Sequence, residues 1–169
     1  MNRIFAFALS LAAVAVLSAC ATKAPEKSAM SQLSARSGST VSGTVSFRPV
    51  YGGVLVEANL AGLTPGEHGF HIHDVGDCSA ADASSAKGHY NPAGKGHGHH
   101  GGTNRHAGDM PNLSANSAGE ARLSAEVKDL TIAEIIGRSV VVHADPDDYA
   151  SQPAGNSGKR VACGVIAAR

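Results

Sequence analysis

From Val75 to Asn116 the chain runs for roughly forty residues with almost no apolar periodicity: VGDCSAADASSAKGHYNPAGKGHGHHGGTNRHAGDMPNLSAN. A loop that long is uncommon inside a compact domain unless it is functional, and this one has too little apolar surface to be fixed by burial. It does carry His89, His97, His99, His100, His106 and Asp109, with Cys78 near its start. Bound metal can replace the core such a segment lacks, because metal-binding free energy becomes folding free energy.

The sequence on either side is strand-like. TVSGTVSFRPV and GGVLVEANLAGL alternate with period two, through Val41, Gly43, Val45 and Phe47, then Val54, Val56, Ala58 and Leu60. Joined by a turn near Tyr51 to Gly53, they predict a β-hairpin. A third strand follows the Pro-Gly turn in LTPGEHGFHIHD, and GEARLSAEV, GRSVVVHAD and RVACGVIAA predict three more. Only DLTIAEIIG has helical character, and it is short. Short strands with Gly-rich turns and no long helical period predict an all-β antiparallel sandwich or barrel.

The start, MNRIFAFALSLAAVAVLSAC, has a basic residue at Arg3, an apolar run from Ile4 to Leu17 and small residues before Cys20. That is the pattern of an export signal over 1–19, too short for a spanning helix. The ending LSAC resembles a lipobox, which makes Cys20 the acylated first residue of the mature chain and supplies the multiple acyl chains that stable anchoring needs. Residues 20–38 are small and polar and predict a flexible tether, whose later part has room for the start of a first strand. The folded domain is expected over 39–169. Acylation of Cys20 leaves Cys78 and Cys163, and export to an oxidising compartment predicts a disulfide between them. With 14 basic and 14 acidic residues and no basic patch, nucleic acid is excluded as a partner.

His71 and His73 lie two residues apart in a predicted strand, on one face, close enough to converge on one ion. Alone the pair would suit satisfied core histidines, but His143 ends the apolar run SVVVH and the loop supplies more. Three imidazoles and one carboxylate make a closed tetrahedral zinc set, and four imidazoles suit copper. Seven such residues fill both sites only if one imidazole is shared.

At this point the chain resembles the copper-zinc superoxide dismutases of the bacterial periplasmic type. The matching stretches are GEHGFHIHDVGDCSA, GHYNP, RHAGDMPNL, GRSVVVHADPDDY and GKRVACGVI, with His-x7-His-x8-His-x2-Asp from His89 to Asp109. The likeness covers about Ser28 to Arg169. It implies a Greek-key β-sandwich or flattened barrel of about eight strands, with long metal-binding and electrostatic loops. It implies copper on His71, His73, His89 and His143, and zinc on His89, His97, His106 and Asp109, with His89 bridging. Asp147 would orient one copper and one zinc histidine, Cys78 would pair with Cys163, and Arg160 would receive the anion.

The implied reaction converts two superoxide anions and two protons to dioxygen and hydrogen peroxide by alternating Cu(II) and Cu(I), with His89 and Arg160 as the catalytic residues. The alternative is a non-enzymatic envelope copper- or zinc-buffering or delivery protein on the same fold. His68 resembles a position that braces the loops. His99 and His100 compete with His97 for zinc, and the spacing favours His97. The resemblance and the signal together imply a periplasmic, lipid-anchored protein, on the outer membrane, either a bacterial-type homodimer or a monomer.

Overall fold

A computed structural model describes residues 28–169; the export signal, Cys20 and the first part of the tether lie outside the described residues. The strands are β1 (Ala29–Ala35), β2 (Ser42–Val50), β3 (Gly53–Ala61), β4 (Gly66–His68), β5 (Phe70–His73), β6 (Leu113–Ala115), β7 (Ala121–Lys128), β8 (Ser139–His143) and β9 (Arg160–Ala168). One short helix, α1 (Ile132–Ile135), falls where DLTIAEIIG predicted helical character. Its Thr131 and Glu134 form a reciprocal capping box that satisfies the exposed N–H groups of its first turn.

All pairings are antiparallel, in the order β4-β6-β7-β3-β2-β1-β9-β8-β5. The two outer members, β4 and β5, are consecutive in sequence and separated only by Gly69. One run of chain therefore supplies both edges, which curls the sheet into a nearly closed barrel and hides edges that would otherwise pair with other chains. Val45, Phe47, Val54, Val56, Leu60, Phe70, Ile72, Val140, Val142 and Ile166 fill it, all buried. The alternation read in β2 and β3 is the alternation seen: Val54, Val56, Ala58 and Leu60 all point inward.

Three details correct the sequence reading. The expected tether over 20–38 ends early, because Ala29–Ala35 is a complete strand paired with β2 and β9, so the domain begins well before residue 39. Its inward side chains are Ala29, Ser31 and Leu33, whose small and polar members conceal the alternation. The single strand expected in EHGFHIHD is two, broken at Gly69. The nine strands agree with the expected antiparallel barrel, but β6, only three residues long, lies inside the segment where none was expected.

Gly69 is the corner. A Cβ there would sit 2.6 Å from Ser157 Oγ and 3.2 Å from His71 Cε1. Its backbone also accepts from His143 N–H and donates to Asp145 O, both at 2.8 Å. Gly69→Ala is thus expected to leave the barrel folded but displace the His71 ring and the loop after β8. Metal analysis should show copper content falling more than the thermal midpoint of the metal-free domain does; full copper retention would contradict this account of the corner.

Candidate metal centre

β5 forms one outer edge of the barrel, and the long loop docks its backbone against it. Ile72 N–H donates to Gly108 O at 2.9 Å, Tyr90 N–H to Ile72 O at 2.8 Å and Asp74 N–H to Gly88 O at 2.9 Å. Isolated bridges pair His71 with Asp109 and His73 with His89. A segment without apolar periodicity thus obtains its backbone partners from an open strand edge. The Cys78–Cys163 disulfide, with Cα atoms 5.7 Å apart, ties the start of the loop to β9. Closing a loop of 85 residues contributes about 4 to 5 kcal/mol in the chain-entropy description. His143 arrives at a register shift between Val142 and His143 at the end of β8, where a bulge re-aims its side chain.

Two groups of ligand atoms result, and they share one residue. His71, His73, His89 and His143 form the first, and His89, His97, His106 and Asp109 the second, with atoms in each group within 4.8 Å of one another. In the first group the buried atoms without a hydrogen-bond partner are His71 Nδ1, His73 Nε2, His89 Nε2 and His143 Nε2. The opposite nitrogen of three of these rings is engaged: His71 Nε2 with Asp147 Oδ2 at 2.8 Å, His73 Nδ1 with Lys87 O at 2.8 Å and His143 Nδ1 with Gly158 O at 3.3 Å. Each such oxygen takes the N–H and so aims the lone pair of the other nitrogen inward. Buried nitrogens facing one another are costly unless a shared cation satisfies them, so this set fits copper.

In the second group, Asp109 Oδ1 lies 2.9 Å from His89 Nδ1, 3.1 Å from His97 Nδ1 and 3.5 Å from His106 Nδ1. His106 Nδ1 and His89 Nδ1 are 3.4 Å apart. A tetrahedral zinc with bonds of 2.0 to 2.1 Å sets ligand atoms roughly 3.3 Å apart, so these separations fit that ion. Asp109 Oδ2 accepts from the N–H groups of His106, at 2.9 Å, and Gly98, at 3.2 Å, which leaves Oδ1 for the metal. His89 presents Nε2 to one group and Nδ1 to the other, the shared imidazole that the ligand count required.

Asp147 joins the groups, with Oδ1 2.8 Å from His97 Nε2 and Oδ2 2.8 Å from His71 Nε2. A Cβ on Gly155, whose φ is +63°, would overlap Asp147 Oδ1, so only glycine lets the backbone pass there. The sequence reading missed the residues that hold this arrangement. Asn112 bonds both backbone groups of Asp147, each at 3.0 Å, and Gln152 bonds both backbone groups of His97, each at 2.8 Å. Amides in polar loops carry no sequence signal that marks them as clamps.

The other expected residues have clear places. Arg160 opens β9, donating Nη1–H to Ala83 O at 2.7 Å and Nη2–H to Lys87 O at 2.6 Å. It lines a cavity of about 300 Å³ with His73, His89, His106, His143 and Pro153. A larger cavity, about 1030 Å³, lies against Tyr51 and α1, away from the histidines. His68 braces the site, its Nδ1 2.8 Å from His143 O and its Nε2 2.8 Å from Thr64 O. His99 and His100 stack at 4.1 Å beside Tyr149, outside both groups, which leaves the position to His97.

Protonation follows the same geometry. Burial pushes the His71 imidazole down to about 4 and holds His73 and His143 well below the usual range, with neighbouring imidazoles adding to the effect. For His97 burial acts downward, but bonds to Asp109 and Asp147 outweigh it and raise the ring to about 9. Both carboxyls lie far below their ordinary range because these histidine bonds overcome burial.

The comparisons with known proteins follow this geometry. The family described as copper/zinc superoxide dismutase (SODC) matches residues 41–166. Superoxide dismutase [Cu-Zn] 2 of Aquifex aeolicus is 45% identical over 123 residues, covering 68% of this chain and 72% of that protein. The copper chaperone for superoxide dismutase of Rattus norvegicus is 43% identical over 135 residues, covering 76% of this chain but only 49% of the chaperone. Among solved structures, the clock protein EA4 aligns with a TM-score of 0.76 at 37% identity, covering 86% of this chain and 96% of that one.

An antiparallel barrel carrying paired four-ligand groups around one histidine defines a dinuclear metal protein. The chain belongs to the copper/zinc superoxide dismutase family. Copper and zinc are its metals and superoxide dismutation is its activity.

Two outcomes test this geometry. Asp147→Asn removes the carboxylate that orients His97 and His71, and zinc affinity by chelator competition should fall roughly 10- to 100-fold. In the metal-free domain, the unfolded chain takes up protons at His71, His73 and His143 below about 6.5, whereas the fold keeps His71 neutral to about 4. Stability therefore falls as the pH drops through that window. His97 has the opposite sign, its contribution being complete below about 6.5 and lost as the pH rises through about 9. Urea midpoints of the metal-free domain should accordingly be highest near pH 6.5.

Proposed function

We propose that His71, His73, His89 and His143 hold copper, that His89, His97, His106 and Asp109 hold zinc, and that superoxide reacts in the cavity beneath Arg160. The observation that carries this reading is the set of four unpartnered nitrogens facing one another, three of them on residues that line a cavity with a cation at its wall. Copper, when bound, supplies the one-electron oxidation of one superoxide and the one-electron reduction of the next; two anions and two protons give dioxygen and hydrogen peroxide.

The rest falls to the chain's own residues. Arg160 is fixed by two carbonyls and keeps further N–H groups for a small anion entering the cavity. His89 Nε2 is the atom able to hold a proton between the two half-reactions and give it up in the second, while Nδ1 stays with Asp109 and the zinc-site histidines. Asp147 keeps the His71 and His97 rings from turning as charge at the centre changes. A metal-delivery role is known by name for the rat relative, but delivery has no use for a shared imidazole or a pinned arginine.

The LSAC sequence supports an acylated Cys20, and with it a lipid-anchored location in the cell envelope. Mass analysis of the mature chain from cells tests this; a chain cleaved elsewhere, without acyl groups, would overturn it.

His143→Ala should lose copper and activity and keep zinc; full activity in a copper-loaded variant would overturn the copper assignment. Arg160→Gln should keep both metals, slow the reaction roughly 10-fold at low salt and flatten its dependence on ionic strength. An unchanged rate and salt profile would remove the guiding role.

A further inference from the structure

A second cavity, larger than the one at the histidines, lies away from the metals. It is an open groove of about 1030 Å³ between the β2–β3 turn and α1, lined by Pro49, Val50, Tyr51, Leu130, Ile132 and Ile136 among others. Tyr51 at the tip of the turn is fully exposed and Ile136 is 37% exposed. An aromatic ring and an apolar groove presented to water at one pole of a small barrel mark an interaction surface.

Strand register says what lies beside it. Ala29 pairs with Phe47 and with Ala168, and Arg169 N–H donates to Ser28 O at 2.8 Å. Ser28, the first described residue, therefore lies at the end of the barrel that carries Pro49, Val50 and Tyr51. Ser28 is eight residue steps from Cys20, a reach of about 28 Å at most when extended. The metal centre lies at the other pole: Arg160 and Ala168 are the two ends of β9, about 26 Å apart at strand rise.

We propose that the Tyr51 pole is the face that rests on the membrane, with the Tyr51 ring and the groove beside α1 contacting the lipid headgroup and upper acyl region. This rests on the reading of Cys20 as the lipid anchor. Ser28 sits at this pole, which is therefore the end of the barrel nearer the anchor, with the Arg160 mouth about 26 Å further along β9. Tyr is suited to the membrane–water boundary, with its ring in the apolar layer and its hydroxyl in the wet one. Exposed Lys128 and Arg169 at the same pole favour anionic headgroups, while Arg48 there is paired with Glu57 at 3.0 Å. Asp129 and Glu134 are there too, but the Glu134 carboxylate is engaged by Thr131 N–H and Oγ–H, at 2.8 and 2.6 Å. The orientation points the substrate mouth away from the lipid, toward the aqueous space where superoxide arrives.

The chain has no tryptophan, so Y51W and A81W each place a single indole at one pole. Ala81 is exposed and its carbonyl accepts from Ser37 N–H at 2.8 Å, at the end of β1 away from Ser28. Each variant would be prepared as the mature full chain, weighed for acylation, and reconstituted on phosphatidylethanolamine–phosphatidylglycerol vesicles with and without brominated acyl chains. The expected result is strong bromine quenching of Y51W and little of A81W, with dismutase activity unchanged in both. Acylated, vesicle-bound Y51W that is not quenched would overturn the membrane contact and leave the anchor standing. A mass without acyl chains would overturn the anchor reading and the proposal with it. A blue shift of Y51W that depends on protein concentration and not on vesicles would overturn it in favour of a second copy of the chain.

Discussion

The structure depends on buried imidazole nitrogens whose lone pairs are forced to face one another. His71, His73, His89 and His143 each present such an atom, and none of these atoms has a partner within the protein. A cation at the common point removes this cost, so bound metals would act as structural members as well as reagents. The orientation of each ring is set from behind, by Asp147, the Lys87 carbonyl and the Gly158 carbonyl. Those oxygens belong to loops, so aiming the ligands and ordering the loops are one event.

Asp147 concentrates that coupling. Its two oxygens bond one histidine from β5 and one from the long loop, and its own backbone is clamped by Asn112. Gln152, five residues further along, closes the circuit by gripping His97. The barrel supplies a rigid edge, the disulfide pins the start of the long loop, and this network pins its middle. Stability is therefore divided: apolar burial holds the strands, while a cross-link, polar clamps and metal binding hold the loops.

The parts of this arrangement legible in the sequence are those written in residue type. The β2–β3 hairpin follows from alternation of large apolar residues, and the ligands follow from histidine and aspartate at telling separations. His-x-His in a strand is a general signal; choosing His97 over His99 and His100 needed the spacing of the family pattern. β1 is only faintly legible, as room for a strand in the later tether, because Ala29 and Ser31 are buried with little apolar contrast to their neighbours. The break at Gly69 was hidden because Gly66–His68 and Phe70–His73 read as one strand, although they sit on opposite edges of the sheet. Asn112 and Gln152 were invisible because their role lies in contacts made across loops, which no local pattern encodes.

The two poles of the barrel set different demands on the same strands. β9 begins with Arg160 at the cavity over the histidines and ends beside Ser28, where the chain from the N-terminus enters. A change at one end is separated from the other by a close-packed barrel of low compressibility, and coupling between the two ends needs an element with two arrangements to move between. Nothing in the register of β1, β9 and β8 offers a second arrangement: each strand is paired on both sides. The apolar pole is thus free to vary its contacts with a surface without altering the distances that position the metals, which is the condition an attached enzyme must meet if attachment is to leave its chemistry unchanged.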